Sequence, residues 1–252
     1  MNISNIKNFS IIIIAVILVS FSTYSLVSGG GTSMSEDEIN DIIREYIKNN
    51  PEDIIDSLTE YQSTEEQRRA SKAQDVIKEK INILENDPKS PIMGNPEGDI
   101  TIVEFFDYSC GYCKRVFPTL SRLAKEDKNL KIVFKEFPIL GPNSVTLSKA
   151  AVAVFLIDPD KYVAFHTKLM DSRVAGKNGA IAIAKDLNID AKSLEAKMES
   201  PEVAKIIADN RDLANDIGVR GTPAFVIAGE FIPGANSYEA FKEKIAEIRR
   251  KN

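Results

Sequence analysis

The chain reads as an α/β fold with a helical insertion, preceded by an α-helical N-terminal head and stalk. Three observations lead there. Runs rich in β-branched and aromatic residues, Ile100 to Phe106, Leu130 to Phe137 and Ala224 to Ile227, are separated by helical patterns, an α/β sandwich order. A tract from about Asn143 to Ile217 is helical throughout and stands between the second strand and the third. Residues 35 to 86 carry helical spacing before the first of these strands begins. A length of 252 residues suits one sizeable domain plus an appendage. Hydrophobic content of 43%, charged content of 27% and a net charge of -5 with acid and base interspersed fit a soluble globular protein. No basic stripe marks the chain for nucleic acid, so none is expected as a partner.

The first 28 residues differ from the rest. Lys7 lies in a short polar start, Ile11 to Val19 is unbroken apolar sequence, and Phe21 to Val27 continues it with Ser and Thr interleaved. This is the pattern of a secretory signal peptide, with Ser20-Phe21-Ser22 as a cleavage site. An uncleaved membrane anchor is the alternative, because Ile11 to Val27 approaches spanning length. Either way the pattern predicts export, into a compartment where disulfides persist.

Gly29-Gly30-Gly31-Thr32-Ser33 is a flexible spacer. Ser35 with Glu38 forms a capping box, and Ile39, Ile42, Ile43, Tyr46 and Ile47 share one helical face. Asn49-Asn50 ends that helix, and Pro51 opens a second with Glu52 and Asp53 at its positive end. Ile54, Ile55, Leu58 and Tyr61 make its stripe. So small a segment cannot build its own core, so it must pack on the downstream domain or on copies of itself. Residues 62 to 86 form a long polar helix whose apolar stripe (Val76, Ile77, Ile81, Ile83, Leu84) comes near its end, as in a helix that bridges units through solvent. Asp87-Pro88-Lys89-Ser90-Pro91 breaks it and opens the main domain. There the strand Ile100–Phe106 leads to a helix from Gly111 to about Lys125, then to the strand Leu130–Phe137. The helical tract follows, with breaks at Asp158-Pro159, Ala175-Gly176 and Ser200-Pro201. A strand at Ala224–Ile227, a turn at Gly229-Glu230, a short strand at Phe231-Ile232 and an amphipathic helix from Tyr238 to Arg249 complete the chain.

The chain has two cysteines, in Cys110-Gly111-Tyr112-Cys113. Thiols at this spacing close to a small disulfide or open to a dithiol, a redox switch. A structural staple would close a longer loop, since its stabilisation grows with loop length. Cys110 falls in a strand-to-helix turn and Cys113 in the first helical turn. A Cys110 thiolate there accepts from the free N–H groups of Tyr112 and Cys113 at the positive end of the helix dipole, which lowers its pKa. Cys110 is then the exposed nucleophile, and the deeper Cys113 resolves the mixed disulfide. Lys114 and Arg115 either add positive field or are solvated. Structural zinc wants four Cys or His ligands, and two cysteines with the single His166 cannot complete that set. No cofactor or metal is expected; copper(I) on the two thiolates is the competing use. Glu104 interrupts an apolar strand ahead of Cys110; desolvation there raises its pKa, unless it lies at a solvated strand edge. Lys135 on the next strand is its candidate charge partner. His166 reads as structural; Phe105, Phe106, Phe117, Phe134 and Phe137 read as core; Tyr108 and Tyr112 are candidates for an apolar substrate surface.

The stretch Glu104-Phe105-Phe106-Asp107-Tyr108-Ser109-Cys110-Gly111-Tyr112-Cys113 resembles the active site of the DsbA-type, thioredoxin-fold disulfide oxidoreductases of the bacterial envelope. Val219-Arg220-Gly221-Thr222-Pro223-Ala224-Phe225 resembles their second fingerprint. The resemblance covers about residues 91 to 252 and implies a thioredoxin fold with a helical insertion and a redox disulfide Cys110–Cys113. It implies that Pro223 is a cis-proline facing the nucleophilic sulfur and that Thr222 beside it offers backbone groups to an extended substrate strand, with Gly111 and Tyr112 also meeting substrate. It gives Glu104 a place beneath the buried cysteine, where it helps deprotonate that thiol through water. The head, Glu36 to Tyr61, resembles the N-terminal region of the ScsC-like branch, whose members include trimers with isomerase activity, and the Gly-Tyr dipeptide matches the DsbC-type isomerases.

Together these readings divide the chain into a signal peptide or membrane anchor (1–28), a helical oligomerisation segment (29–62), a helical linker (63–90) and a thioredoxin-like catalytic domain (91–252) with its insertion at about 143–217. The expected enzyme is a periplasmic or cell-envelope protein disulfide oxidoreductase, read as an isomerase or reductase. A DsbA-like oxidase is the alternative, and a copper(I)-binding or surface interaction protein the alternative of another class. Its expected partners are unfolded or misdisulfided exported proteins, a membrane redox partner of DsbB or DsbD type, and further copies of itself in a homo-oligomer such as a trimer.

Overall fold

A computed structural model describes residues 34–251. The segment 1–28, read above as signal or anchor, and the glycine spacer to Ser33 lie outside the described residues. The chain divides into two compact units at Ser63–Thr64.

The first unit contains α1 (Glu36–Asn49) and the start of α2 (Pro51–Asn86). The capping box is formed: the Glu38 N–H donates to Ser35 Oγ at 3.3 Å, and the Ser35 N–H donates to Glu38 Oε2 at 2.8 Å. None of the α1 residues is buried, and Ile39, Ile42, Ile43, Tyr46, Ile47, Ile54, Ile55, Leu58 and Tyr61 are all exposed. The two helices expected on either side of residue 62 are one continuous helix. Gln62-Ser63-Thr64-Glu65 holds neither Gly nor Pro, so nothing in it breaks the backbone hydrogen-bond ladder.

The second unit is built on a five-stranded sheet in the order β1-β3-β2-β4-β5. Its strands are β1 (Ile92–Gly94), β2 (Ile100–Phe106), β3 (Leu130–Glu136), β4 (Ala224–Ile227) and β5 (Glu230–Pro233). β2 and β3 are parallel and joined through α3 (Gly111–Glu126); the other pairings are antiparallel. The edge strand β1 has no counterpart in the sequence reading. Its three residues are too few to show alternation, and it exists because β3 offers it a pairing edge. The insertion is five helices: α4 (Pro142–Ile157), α5 (Pro159–Asp171), α6 (Gly176–Asp186), α7 (Ala191–Met198) and α8 (Pro201–Asp216). The break between α6 and α7 was not expected. No proline marks it; Asn188 takes a left-handed φ of 56° there. The closing helix is α9 (Tyr238–Lys251).

Both faces of the sheet are covered, as the near-continuous apolar run of β2 requires. Ile102, Phe106, Ile132 and Phe134 face a core with α3, α5 and α9. Val103, Phe105, Val133 and Val226 face a second core with Ile77 and Leu84 of α2 and Leu213 of α8. The later part of α2 therefore does not bridge through solvent. Gln74 donates to the Gly229 carbonyl at 2.6 Å, and Lys80 pairs with Asp216 at 2.6 Å. Its polar residues outnumber its apolar ones, but Ile77 and Leu84, two helical turns apart, suffice to seat it on the sheet.

Candidate active site

Cys110 is the N-cap of α3. Its backbone is extended, and Sγ accepts the Cys113 N–H at 3.5 Å, in the way a Ser or Asp side chain caps a helix. The same Sγ lies 3.2 Å from the carbonyl oxygen of Thr222. The Thr222–Pro223 bond is cis, as the resemblance implied. Both cysteines are free thiols in this structure.

Their environments push the two thiols apart. The Cys110 pKa falls to about 5: the Cys113 thiol donates to it, burial opposes, and the Thr222 side chain and the Cys113 and Tyr112 N–H groups add to the lowering. The Cys113 pKa is raised, first by burial, then by its hydrogen bond to Cys110 and the nearby Glu104 charge. One expectation needs correction. Cys110 is not openly exposed but only 5% accessible, because the Thr222 loop lies against it; Cys113 is wholly covered. The space over the dipeptide is open, since a side chain at Gly111 would meet nothing within 4 Å. Tyr112 is 58% exposed, with the Arg115 guanidinium 4.8 Å from its ring centre. Arg220, Gly221, Thr222, Pro223, Phe231 and Pro233 line a groove on the other side.

Glu104 is fully buried, which removes the solvated-edge reading. Neither of its oxygens has a hydrogen-bond partner, and its pKa rises to about 8, from burial first and the Cys110 charge second. Lys135 is not its charge partner. Glu104 stands beside Phe134 in the β2–β3 register, so Lys135, one residue on, points to the other face. There its ammonium donates to the Ile83 carbonyl at 3.0 Å and to Asp87 at 3.1 Å. Lys114 is not a free charge either: it donates to the carbonyls of Leu169, at 3.0 Å, and Ser172.

Tyr108 is buried, so only Tyr112 of the flanking tyrosines is available to a substrate. The five phenylalanines assigned to the core are buried there, as is His166. Sequence reasoning missed Ile139 and Leu140, both exposed, whose N–H groups donate to Asp107 Oδ2 at 2.8 and 3.0 Å. No local pattern marks them; only the fold brings them to the turn before Cys110. Among the described residues no group of three or more His, Cys, Asp or Glu is placed to hold a metal ion.

A CxxC at a helix N-terminus, opposed by a cis-proline loop on a mixed sheet with one parallel crossover, defines a thioredoxin-fold thiol–disulfide oxidoreductase. Residues 101–246 match the model of the DSBA-like thioredoxin domain, and residues 36–68 match the copper resistance protein ScsC N-terminal domain. A thioredoxin-like oxidoreductase from Silicibacter pomeroyi is 38% identical, with 67% of this chain and 97% of that one covered and a TM-score of 0.64. Proteus mirabilis ScsC in a transitional conformation is 26% identical over 86% of this chain and 98% of its own, with a TM-score of 0.66. Disulfide bond formation protein D of Bacillus subtilis is 25% identical over 62% of this chain and 75% of its length. The chain belongs to the DsbA-like thioredoxin family and is a thiol–disulfide oxidoreductase.

Proposed function

We propose that the enzyme exchanges disulfides in exported proteins with Cys110 as the attacking sulfur, and that it works as a homo-oligomeric isomerase or reductase. The observation that carries the chemistry is the placement of Cys110 Sγ at the start of α3, 3.2 Å from the Thr222 carbonyl. In reduction, the Cys110 thiolate attacks one sulfur of a client disulfide. That S–S bond breaks, its other sulfur leaves as thiolate and takes up a proton, and a mixed disulfide forms. Cys113 then attacks Cys110 Sγ: the Glu104 carboxyl, protonated below about pH 8, gives its proton by way of water to the departing client sulfur and takes up the one that Cys113 loses. The client's second thiol is released, and the Cys110–Cys113 disulfide carries the two electrons' worth of oxidation. Oxidation of a client is the reverse sequence. In isomerisation a second client thiolate displaces Cys110, with no net redox change. Thr222 and Pro223 hold the client strand beside the sulfur, and Gly111 and Tyr112 border it.

The isomerase reading rests on α1 and the start of α2. Their exposed apolar face is large for so short a segment and has the character of a surface that associates with its like in two further copies. Several catalytic domains on one frame would hold a misfolded client at high effective concentration while its disulfides are reshuffled. The capping of α3 by Cys110 Sγ, which accepts the Cys113 N–H, favours a second reading. A Cys110 pKa near 5 stabilises the dithiol form and makes Cys110 a good leaving group, as in an oxidase. Export to the periplasm or envelope, and electron exchange with a membrane partner of DsbB or DsbD type, complete the proposal. No helix among the described residues is long and apolar enough to cross a membrane.

The test is refolding of scrambled ribonuclease beside a reduction-potential measurement against glutathione. Reactivation of the scrambled form that is lost in Cys110→Ala supports isomerase action. Oxidation of reduced ribonuclease without reshuffling of the scrambled form assigns the oxidase. Tight copper(I) binding with neither activity overturns both.

A further inference from the structure

Three consecutive side chains of the turn before Cys110 are tied to the chain beyond β3. Asp107 accepts from the Ile139 and Leu140 N–H groups. Ser109 Oγ accepts from Asn143 Nδ2 at 3.2 Å, and Asn143 Oδ1 accepts the Gly176 N–H at 2.6 Å. Between them, the Tyr108 hydroxyl lies 2.8 Å from His166 Nδ1 and 3.3 Å from Glu136 Oε1. The turn is closed by the Cys110 N–H, which donates to the Asp107 carbonyl at 3.0 Å.

The middle tie is the unusual one, because it is made wholly in the core. Ser148 Oγ donates to Glu136 Oε2 at 2.7 Å. The Tyr162 hydroxyl lies 3.4 Å from both Glu136 Oε1 and His166 Nδ1. Tyr108, Glu136, Ser148, Tyr162 and His166 are all buried. Two phenols have one proton each and face two acceptors, Oε1 and Nδ1. If both protons go to the carboxylate, Nδ1 must carry a hydrogen to meet the Tyr108 oxygen. If the Tyr108 proton goes to Nδ1, the Glu136 carboxyl must be protonated to keep its own contact with Tyr108. Either arrangement satisfies the contacts as a set; without the Tyr108 hydroxyl, Glu136 Oε1 and His166 Nδ1 keep only the longer 3.4 Å contacts to Tyr162, and the turn loses its tie to both. A ring at position 108 would already fill its space against Phe106, 5.1 Å away between centres. The hydroxyl therefore adds orientation, which a phenylalanine would not supply.

We infer that Tyr108, held by Glu136 and His166, is a positioning residue for Cys110: the helical insertion, through this buried cluster, fixes the turn that places Sγ against the first N–H groups of α3 and the Thr222 carbonyl. The inference rests on the reading of Cys110 as the attacking sulfur. It gives the insertion a part in the chemistry, since α4 supplies Ser148 and α5 supplies Tyr162 and His166.

The experiment compares Tyr108→Phe with Tyr162→Phe in the full chain. Each removes one hydroxyl from the same cluster, but only Tyr108 lies on the turn. The readouts are the thiolate absorbance titration of Cys110, the potential against glutathione, and thermal unfolding. Tyr108→Phe is expected to raise the Cys110 pKa by about one unit, the size of one misaligned hydrogen bond to a thiolate. The potential should become more negative by about 30 mV, the tenfold equivalent for a two-electron couple. Tyr162→Phe should unfold earlier but titrate like the wild type. Tyr108→Phe titrating like the wild type overturns the inference, and so do equal shifts in both variants, which would mean a general loosening. Should Tyr108→Phe fail to fold, Glu136→Gln is read instead: a smaller shift in the same direction supports the inference and none overturns it. A wild-type Cys110 that does not alkylate at pH 6 would sink the reading of Cys110 itself, a separate result.

Discussion

Cys110 and Cys113 share one helical turn yet ionise far apart, because one caps the helix and the other sits inside its first turn against the sheet. Alkylation by iodoacetamide should therefore follow a single thiolate with a midpoint near pH 5. Cys110→Ala should abolish it. Cys113→Ala should move the midpoint upward, since the Cys113 thiol is the largest influence holding Cys110 down. Glu104 works in the opposite sense on stability. Its folded pKa of about 8 exceeds its ordinary 4.5, so the folded state binds the extra proton between those values. Stability from this group is present below pH 4.5 and is lost as pH rises through 8, by about 3 kcal/mol at pH 7. Glu104→Gln does not titrate, so its stability relative to wild type should grow from pH 4.5 to 8 in denaturant unfolding. A constant difference across that range would show that Glu104 is not held protonated. The acid was legible in sequence as a break in an apolar strand. Glu136 is an acid of the same kind, at the end of β3 and buried.

α2 shows how one helix meets two environments. Its early residues carry an apolar face that is exposed, while Ile77 and Leu84 are wholly covered by the sheet. Leu84→Ala should cost about 2–5 kcal/mol of domain stability in urea unfolding. Ile43→Ala on α1 should leave the unfolding of the catalytic domain unchanged and weaken association. The helical stripes of both were readable from spacing. Which stripe is covered within the chain was not, because an amphipathic pattern states that a face needs a partner without naming it. α3 was legible in its place: strand, turn and CxxC predict a helix from Gly111 to about Lys125, and the structure has it at Gly111–Glu126 with Val116, Phe117, Leu120 and Leu123 buried.

For the molecule as a whole, deletion of residues 35 to 62 should convert an oligomer to a monomer in light scattering and leave Cys110 reactive. A full-length protein already monomeric would remove the main support for isomerase action. The apolar residues at stake are those of α1 and the start of α2, exposed in the single chain. The catalytic domain has two cores, one on each sheet face, and neither includes them.

The sequence by itself determined the order of β2 to β5 with a helical insertion between β3 and β4, the redox pair, and the loop that opposes it, because each is written in neighbouring residues: strand runs, proline breaks, two cysteines at one spacing, and Thr222-Pro223 before a β-run. Only the tertiary structure decided what lies across from what. A side chain's face depends on register, and so Lys135 turned away from Glu104 to Asp87. Exposure depends on distant loops, and so Tyr108 went into the core while Ile139 and Leu140 came to the surface beside the turn. Contacts between residues far apart in the chain carry no local signal, and the ties that hold Cys110 in place are of that kind.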